Sequence, residues 1–273
     1  MSVYPKVNDH FPFSLRREYI SEHGGSMLTA IEQERYDRQI MIQEIGQEGQ
    51  EKLKRSRVVI AGAGGLGSPI AFYLTAAGIG MIRIIDHDQV TLSNLNRQIL
   101  HWGEDIGRKK VESAGTKLRN LNSDVKIETI AETIAEGNVS QLVDGCDLIV
   151  DAMDNLPTRH VLNRCAVEKK LPFFHGAVNG FEGRVMTILP GKTACLRCLY
   201  RGQVPQEKFP VIGVTPAVIG SIQATEVIKY LVGIGKLLTN RLLIYDGLKV
   251  SFTEFSVSKN PNCDHCGSLD RKE

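Results

Sequence analysis

From residue 57 to residue 169, short β-branched apolar runs alternate with longer segments in which apolar residues return every three or four positions. Residues 57–61 form a run of the buried-strand type, and residues 68–77 repeat at helical spacing until Gly78 stops them. The same logic predicts strands over 81–85, 125–131 and 147–152, and helices over 109–121, 139–143 and 158–169. Two further helices are predicted upstream, over 32–44 and 48–54. Strands and helices alternating at these lengths build βαβ units, so the expected fold is α/β, a doubly wound, Rossmann-like, mainly parallel sheet covered on both faces.

The texture changes after Pro172. Strands are predicted over 173–178, 183–189, 241–245 and 249–257, with a long helix from Thr215-Pro216 to about residue 231. Residues 1–28 show no sustained period and read as a loosely attached extension. Residues 29–267 read as one domain with a first half of about 29–171 and a strand-rich second half of about 172–267, followed by a tail over 268–273.

The 273 residues carry a formal net charge of +2 with both signs interspersed, which argues against nucleic acid as a partner but leaves room for a local basic pocket. No stretch of about 18 apolar residues and no secretory leader is visible, so the expectation is a cytoplasmic protein with no membrane partner. Of six cysteines, four form two Cys-x-x-Cys pairs, Cys195/Cys198 and Cys263/Cys266. Two such pairs far apart in sequence are the spacing of a closed, structural thiolate zinc site. Cys146 and Cys165 lie in apolar-periodic stretches and read as buried small hydrophobes, and His175 as a core residue.

Gly62-Ala63-Gly64-Gly65-Leu66-Gly67 follows a strand and opens a helix, the setting in which such a loop cradles phosphate. Asp86, ending the next strand, can accept hydrogen bonds from a ribose. An NAD-dependent oxidoreductase would account for that much. It leaves unexplained Arg97 just past the strand, Lys109 and Lys110 at a helix start where they oppose the macrodipole, and Asp151 and Asp154 at the end of a parallel strand. A triphosphate answers the cations, and a carboxylate at that edge is a natural magnesium ligand. Capping of the helix that follows is the other role open to Asp154 and Asn155.

The ordered set Arg35-Tyr36-x-Arg38-Gln39, the glycine loop, Asp86-x-Asp88, Ser93-Asn94-Leu95-x-Arg97-Gln98, Lys110-Val111-Glu112-Ser113-Ala114, Asp154-Asn155 and the two cysteine pairs resembles the ubiquitin-activating-enzyme-like family of ThiF, MoeB and HesA proteins. The resemblance implies ATP-dependent adenylation of the C-terminal glycine of a ubiquitin-like sulfur-carrier protein ending in Gly-Gly, for molybdopterin, thiamine or a related sulfur transfer. It implies ATP, magnesium and zinc as cofactors. Gly62, Gly64, Gly65, Gly67, Asp86, Asp88, Asn94, Arg97, Gln98, Lys110, Asp154 and Asn155 would line the nucleotide site, with Asp86 on the ribose, Asn94, Arg97 and Lys110 on phosphates and Asp154 on magnesium. Arg38 would complete the site of the other subunit of a homodimer, and the four cysteines would hold zinc. The loop over 201–215 has no cysteine, unlike that of some relatives, so a separate sulfur donor such as a cysteine desulfurase would act downstream. Adenylation of another peptide or of a tRNA-linked carboxylate, and a non-catalytic partner subunit, are the remaining alternatives, the latter disfavoured because no site residue is missing.

Overall fold

The computed structural model describes residues 28–201 and 209–267. Expectations for residues 1–27, for 202–208 and for the tail lie outside them.

One eight-stranded sheet runs through the protein in the order β3-β2-β1-β4-β5-β6-β7-β8. The strands are β1 (Arg57–Ala61), β2 (Met81–Ile85), β3 (Lys126–Ile130), β4 (Leu148–Asp151), β5 (Phe173–Asn179), β6 (Glu182–Ile188), β7 (Arg241–Asp246) and β8 (Ser251–Ser256). Neighbours from β3 to β5 pair in parallel and those from β5 to β8 antiparallel, so the sheet is mixed and the change of texture after Pro172 is a change of strand direction. The helices are α1 (Ala30–Arg35), α2 (Asp37–Ile40), α3 (Gly46–Arg55), α4 (Gly67–Ala76), α5 (Lys110–Leu121), α6 (Val139–Leu142), α7 (Leu156–Lys169), α8 (Leu196–Leu199) and α9 (Val214–Val232).

Alternation along each central strand divides the core into two layers. Val58 and Ile60 of β1 and Val150 of β4 join a cluster with α3, α4, α5 and α9. Val59, Ala61 and Ile149 point the other way, into a cluster with α6, α7, α8 and the four paired cysteines. Both faces are therefore covered, as continuous apolar strands require. The chain order reverses between β1 and β4, and the crevice at their carboxyl ends is where a sheet of this kind takes ligands. No helix among the described residues is long and apolar enough to cross a membrane.

One expected element is broken. Residues 32–44 pattern as a single helix, yet α1 and α2 are separate and residues 41–45 are turns. Thr29 and Glu32 start α1 with reciprocal side-chain-to-backbone bonds of 3.2 and 2.8 Å. Tyr36 then turns inward, 3 % exposed, lying over Gly78 and accepting a 2.8 Å hydrogen bond from Asn122 Nδ2. The tertiary contact of this one ring overrides the local helical pattern.

Candidate functional site

The glycine loop leaves β1 at the reversal point. Gly62 has φ +105°, and a Cβ there would lie 2.7 Å from the Ala152 carbonyl oxygen, so only glycine lets the loop pass so close to the end of β4. Gly67 is tighter still, its added Cβ falling 1.9 Å from the Gly62 oxygen. At the start of α4 Ser68 and Ile70 already donate to the Gly64 and Leu66 carbonyls and Pro69 has no N–H, so the amides left to meet an anion are those of the glycine loop itself.

Asp86, at the end of β2, accepts from the Ala63 and Asp88 amides, both at 2.8 Å. The carboxylate is thus fixed against the loop, and each oxygen keeps a lone pair for a hydroxyl. Lys109 is the N-cap of α5 and donates to the His87 carbonyl at 2.9 Å, so only Lys110 begins the helix. Lys110 is buried and pairs with Asp88 at 2.8 Å. Burial by itself would raise the Asp88 carboxyl, but the hydrogen bond and charge of Lys110 outweigh it and hold the group below its usual range.

Asn94, Arg97 and Gln98 occupy one short turn between the glycine loop and α9. Gly64 faces the Gln98 side chain, Gly65 faces the Arg97 carbonyl, and Gly213 abuts Asn96. Arg97 has no acid for a partner among the described residues: its guanidinium donates to the Ser93 carbonyl at 2.8 Å and to Asn96 Oδ1 at 3.0 Å. Gln98 is buried and its Oε1 has no hydrogen-bond partner among the described residues. Across the crevice Asn155 caps α7 through the Thr158 amide at 2.9 Å. Capping therefore falls to Asn155, and Asp154 is left exposed, its carboxylate hydrogen-bonded among the described residues to Asn155 Nδ2 alone, at 3.3 Å.

Arg38 is not in this crevice. Its neighbour Gln39 bonds to the Ala77 carbonyl, beyond the far end of α4, at 3.2 Å. Ten helical residues separate that end from the glycine loop, about 15 Å of rise. The Arg38 side chain is exposed and has no hydrogen bond or ion pair among the described residues.

The four paired cysteines meet on the other face of the sheet. All are buried, with Sγ separations of 4.0 Å for Cys195–Cys198 and 3.6 Å for Cys195–Cys263 and Cys198–Cys266. A tetrahedron of thiolates about 2.3 Å from zinc has edges of about 3.8 Å, so the donor set and its spacing fit that ion with no open position. Burial pushes the Cys195 thiol up to about 11, so gathering four thiolates here calls for a cation. Asn163 ties the knuckle to α7, with its Oδ1 accepting from the Leu196 amide at 2.9 Å and its Nδ2 lying 2.7 Å from His265 Nδ1.

Two groups around the crevice have no local sequence signal. The first runs from Asp105 through Lys117 and Ser113 to His101. Burial depresses the His101 pKa, so its ring is neutral. Its Nε2 donates to the Ala63 carbonyl at 2.8 Å, and its Nδ1 accepts from Ser113 at 2.9 Å, bracing the loop against α5. The second joins Asp151 to His175 Nδ1 at 2.7 Å and to Arg159 at 3.4 Å. His175 is wholly buried, in keeping with a core residue.

The family model named ThiF matches residues 36–265. The chain is 43% identical over 246 residues to the SAMP-activating enzyme E1 of Haloferax volcanii, covering 88% of this chain and 91% of that one. It is 42% identical over 250 residues to the sulfur carrier protein adenylyltransferase of Thermus thermophilus, covering 88% and 92%. Among solved structures, E. coli MccB with ATP superposes with a TM-score of 0.76 at 25% identity, covering 93% of this chain and 81% of that one.

Proposed function

The chain belongs to the ThiF family, and on that premise we propose that it is an adenylyltransferase that activates the C-terminal glycine of a ubiquitin-like sulfur-carrier protein with ATP. The observation that carries the reading is the crevice between β1 and β4, where a phosphate-type glycine loop, Asp86, the Arg97 turn, Lys110 and an exposed Asp154 converge. The Haloferax and Thermus relatives are named as a SAMP-activating E1 and a sulfur carrier protein adenylyltransferase, and the E. coli structure superposes with ATP bound to it.

The reaction asks little of the protein in covalent terms. The carrier's terminal carboxylate is already a nucleophile; one of its oxygens attacks the α-phosphorus, and the bond from that phosphorus to the bridging oxygen breaks. Pyrophosphate takes the electron pair, and the acyl-adenylate remains. No general base is needed, so catalysis rests on positioning and on neutralising charge as pyrophosphate departs. Asp86 orients the ribose through its remaining lone pairs, while Asn94, Gln98 and the loop amides position the phosphates. Arg97 and Lys110 stabilise the charge that develops. Asp154 would hold magnesium, which supplies charge neutralisation on the triphosphate. Zinc in the cysteine knuckle is structural. The functional unit is a homodimer in which Arg38 reaches the partner's crevice. The loop over 201–215 contains no cysteine, so the acyl-adenylate passes to a separate sulfur donor, such as a cysteine desulfurase relay.

The test is ATP–pyrophosphate exchange against a panel of small carriers ending in Gly-Gly. Exchange that appears with a cognate carrier and vanishes when its last glycine is deleted is the expected result. Tight NADH binding with no exchange on any carrier would overturn the proposal.

A further inference from the structure

The segment from Asp151 to Asn155 is held from several sides, and every contact but those of one side chain points inward. Asp151 is fully buried. Its carbonyl accepts from Gln223 Nε2 at 2.8 Å, its Oδ1 from the Met153 amide at 3.0 Å, and its Oδ2 from His175 Nδ1 at 2.7 Å. Arg159, one turn into α7, lies 3.4 Å from the same Oδ2. Its Nη2 donates both to the Gly176 carbonyl, at 2.9 Å, and to the Met153 carbonyl.

The Met153 carbonyl belongs to the peptide unit that carries the Asp154 N–H. Asp151 therefore fixes the peptide on one side of Met153, and Arg159 fixes the one on the other. Beyond Asp154 the chain is fixed again, because Asn155 caps α7. Asp154 alone projects outward. A buried ion pair is weak evidence for stability, since a well-packed apolar pair of similar volume is often as stable. What an apolar pair could not do is hold both faces of the turn that presents a carboxylate.

We infer that Arg159 is a positioning residue for Asp154: paired with buried Asp151, it fixes the Met153–Asp154 peptide and so aims the Asp154 carboxylate at the cation. The inference rests on the assignment of magnesium to Asp154. One guanidinium reaches both places at once: its Nη2 donates to the two carbonyls while its Nε, which makes no hydrogen bond among the described residues, lies beside the Asp151 carboxylate, a span that a lysine ammonium does not offer.

The experiment measures Mn2+ affinity by electron paramagnetic resonance on the full chain with a non-hydrolysable ATP analogue bound, and analogue affinity separately without metal. Asp154→Asn establishes the ligand. Arg159→Lys should then weaken Mn2+ about tenfold, the loss expected when a residue supporting a metal ligand is removed, with analogue affinity changed less than about twofold. The double variant Arg159→Lys/Asp154→Asn should bind Mn2+ no more weakly than Asp154→Asn alone. If Asp154→Asn weakens Mn2+ and Arg159→Lys does not, the positioning role is wrong. If Asp154→Asn itself has no effect, the magnesium assignment fails instead, and the inference with it. Should Arg159→Lys not fold, the charge-free pair Asp151→Asn/Arg159→Met is measured in the same way. Failure of both to fold would mean that the pair holds the fold and would reject the inference.

Discussion

Lys110 Nζ lies 2.8 Å from Asp88 Oδ2, so two charges expected to meet a nucleotide meet each other. The ammonium is nearly buried while the carboxylate is half exposed, at 6 % and 51 % of the side chain. With the lysine buried and the carboxylate half exposed, a phosphate in the proposed site would take the place of Asp88 as the partner of Lys110.

Removing the lysine should therefore lower the rate of adenylation more than the affinity for ATP, because its contact strengthens as charge develops on the phosphates. Loss of one such donor costs on the order of 100-fold in rate, and Lys110→Ala is expected to lose about that much in ATP–pyrophosphate exchange. Asp88→Ala acts in the opposite sense on binding, since it leaves a buried cation unpaired until nucleotide arrives. Its melting temperature should rise on adding ATP by about 2–4 °C more than that of the wild type, the shift that roughly 1 kcal/mol produces in a protein of this size. Equal shifts would mean that Lys110 does not face the nucleotide.

Behind the loop, Asp105 is wholly buried and pairs with Lys117 and Arg108. Burial would raise its pKa, but hydrogen bonds from Lys117 and the Trp102 amide, with the Lys117 charge, bring it down from 3.8 to about 2. A carboxyl depressed on folding stabilises fully above its unfolded value and loses that contribution as pH falls through the folded one. Asp105→Ala, which leaves Lys117 without its acid, should cost about 3 kcal/mol near neutrality. The gap in melting temperature between wild type and variant should then narrow as pH drops from about 4 toward 2. A gap that stays constant over that window would place the stabilisation elsewhere.

The glycine loop, the strands from 57 to 188 and the cysteine spacing were legible because each depends on neighbours within a few residues. Gly62 must be glycine for the turn that it makes itself, and two Cys-x-x-Cys pairs carry their geometry in their spacing. The partnership of Asp151 with His175 was not legible. It arises from the parallel register of β4 and β5, which puts residues 24 apart side by side. His101 was missed for the same reason, since its roles depend on Ala63 and Ser113, which only the packed sheet and α5 bring to it. Tyr36 shows the converse, a helical pattern interrupted because one ring is needed over Gly78. For Asp154 and Asn155 the sequence left capping open between them, and the hydrogen bond to Thr158 assigns it to Asn155.

Zinc should be present at about one per chain in protein purified without chelator, by metal analysis. Structural zinc contributes roughly 10–16 kcal/mol of apparent binding energy in small peptides, but this chain has a large core of its own. Cys195→Ser/Cys263→Ser should therefore loosen the knuckle and the part of α7 that Asn163 ties to it before it unfolds the sheet. Hydrogen exchange should show lost protection at the Leu196 amide, with β1 and β2 little changed. A double variant with unchanged melting temperature and unchanged exchange would reject a metal-held knuckle.

The proposed dimer makes the sharpest demand, because Arg38 makes no hydrogen bond or ion pair among the described residues of its own chain. It lies beyond the far end of α4 from its own glycine loop and has no partner among the described residues. A lone exposed arginine contributes little to stability, so Arg38→Ala should leave the melting temperature of the protein almost unchanged. If the guanidinium instead completes the crevice of a two-fold partner, the same substitution should cost on the order of 100-fold in exchange, as removal of a charge-stabilising donor does. Mixing Arg38→Ala subunits with Lys110→Ala subunits then separates action in the same chain from action across the interface. In a mixed dimer one crevice receives both defects and the other receives neither, so about half of the wild-type activity per mixed dimer should return. With subunit exchange verified by mass, a mixture as inactive as its parents would show that Arg38 does not act on the partner's site.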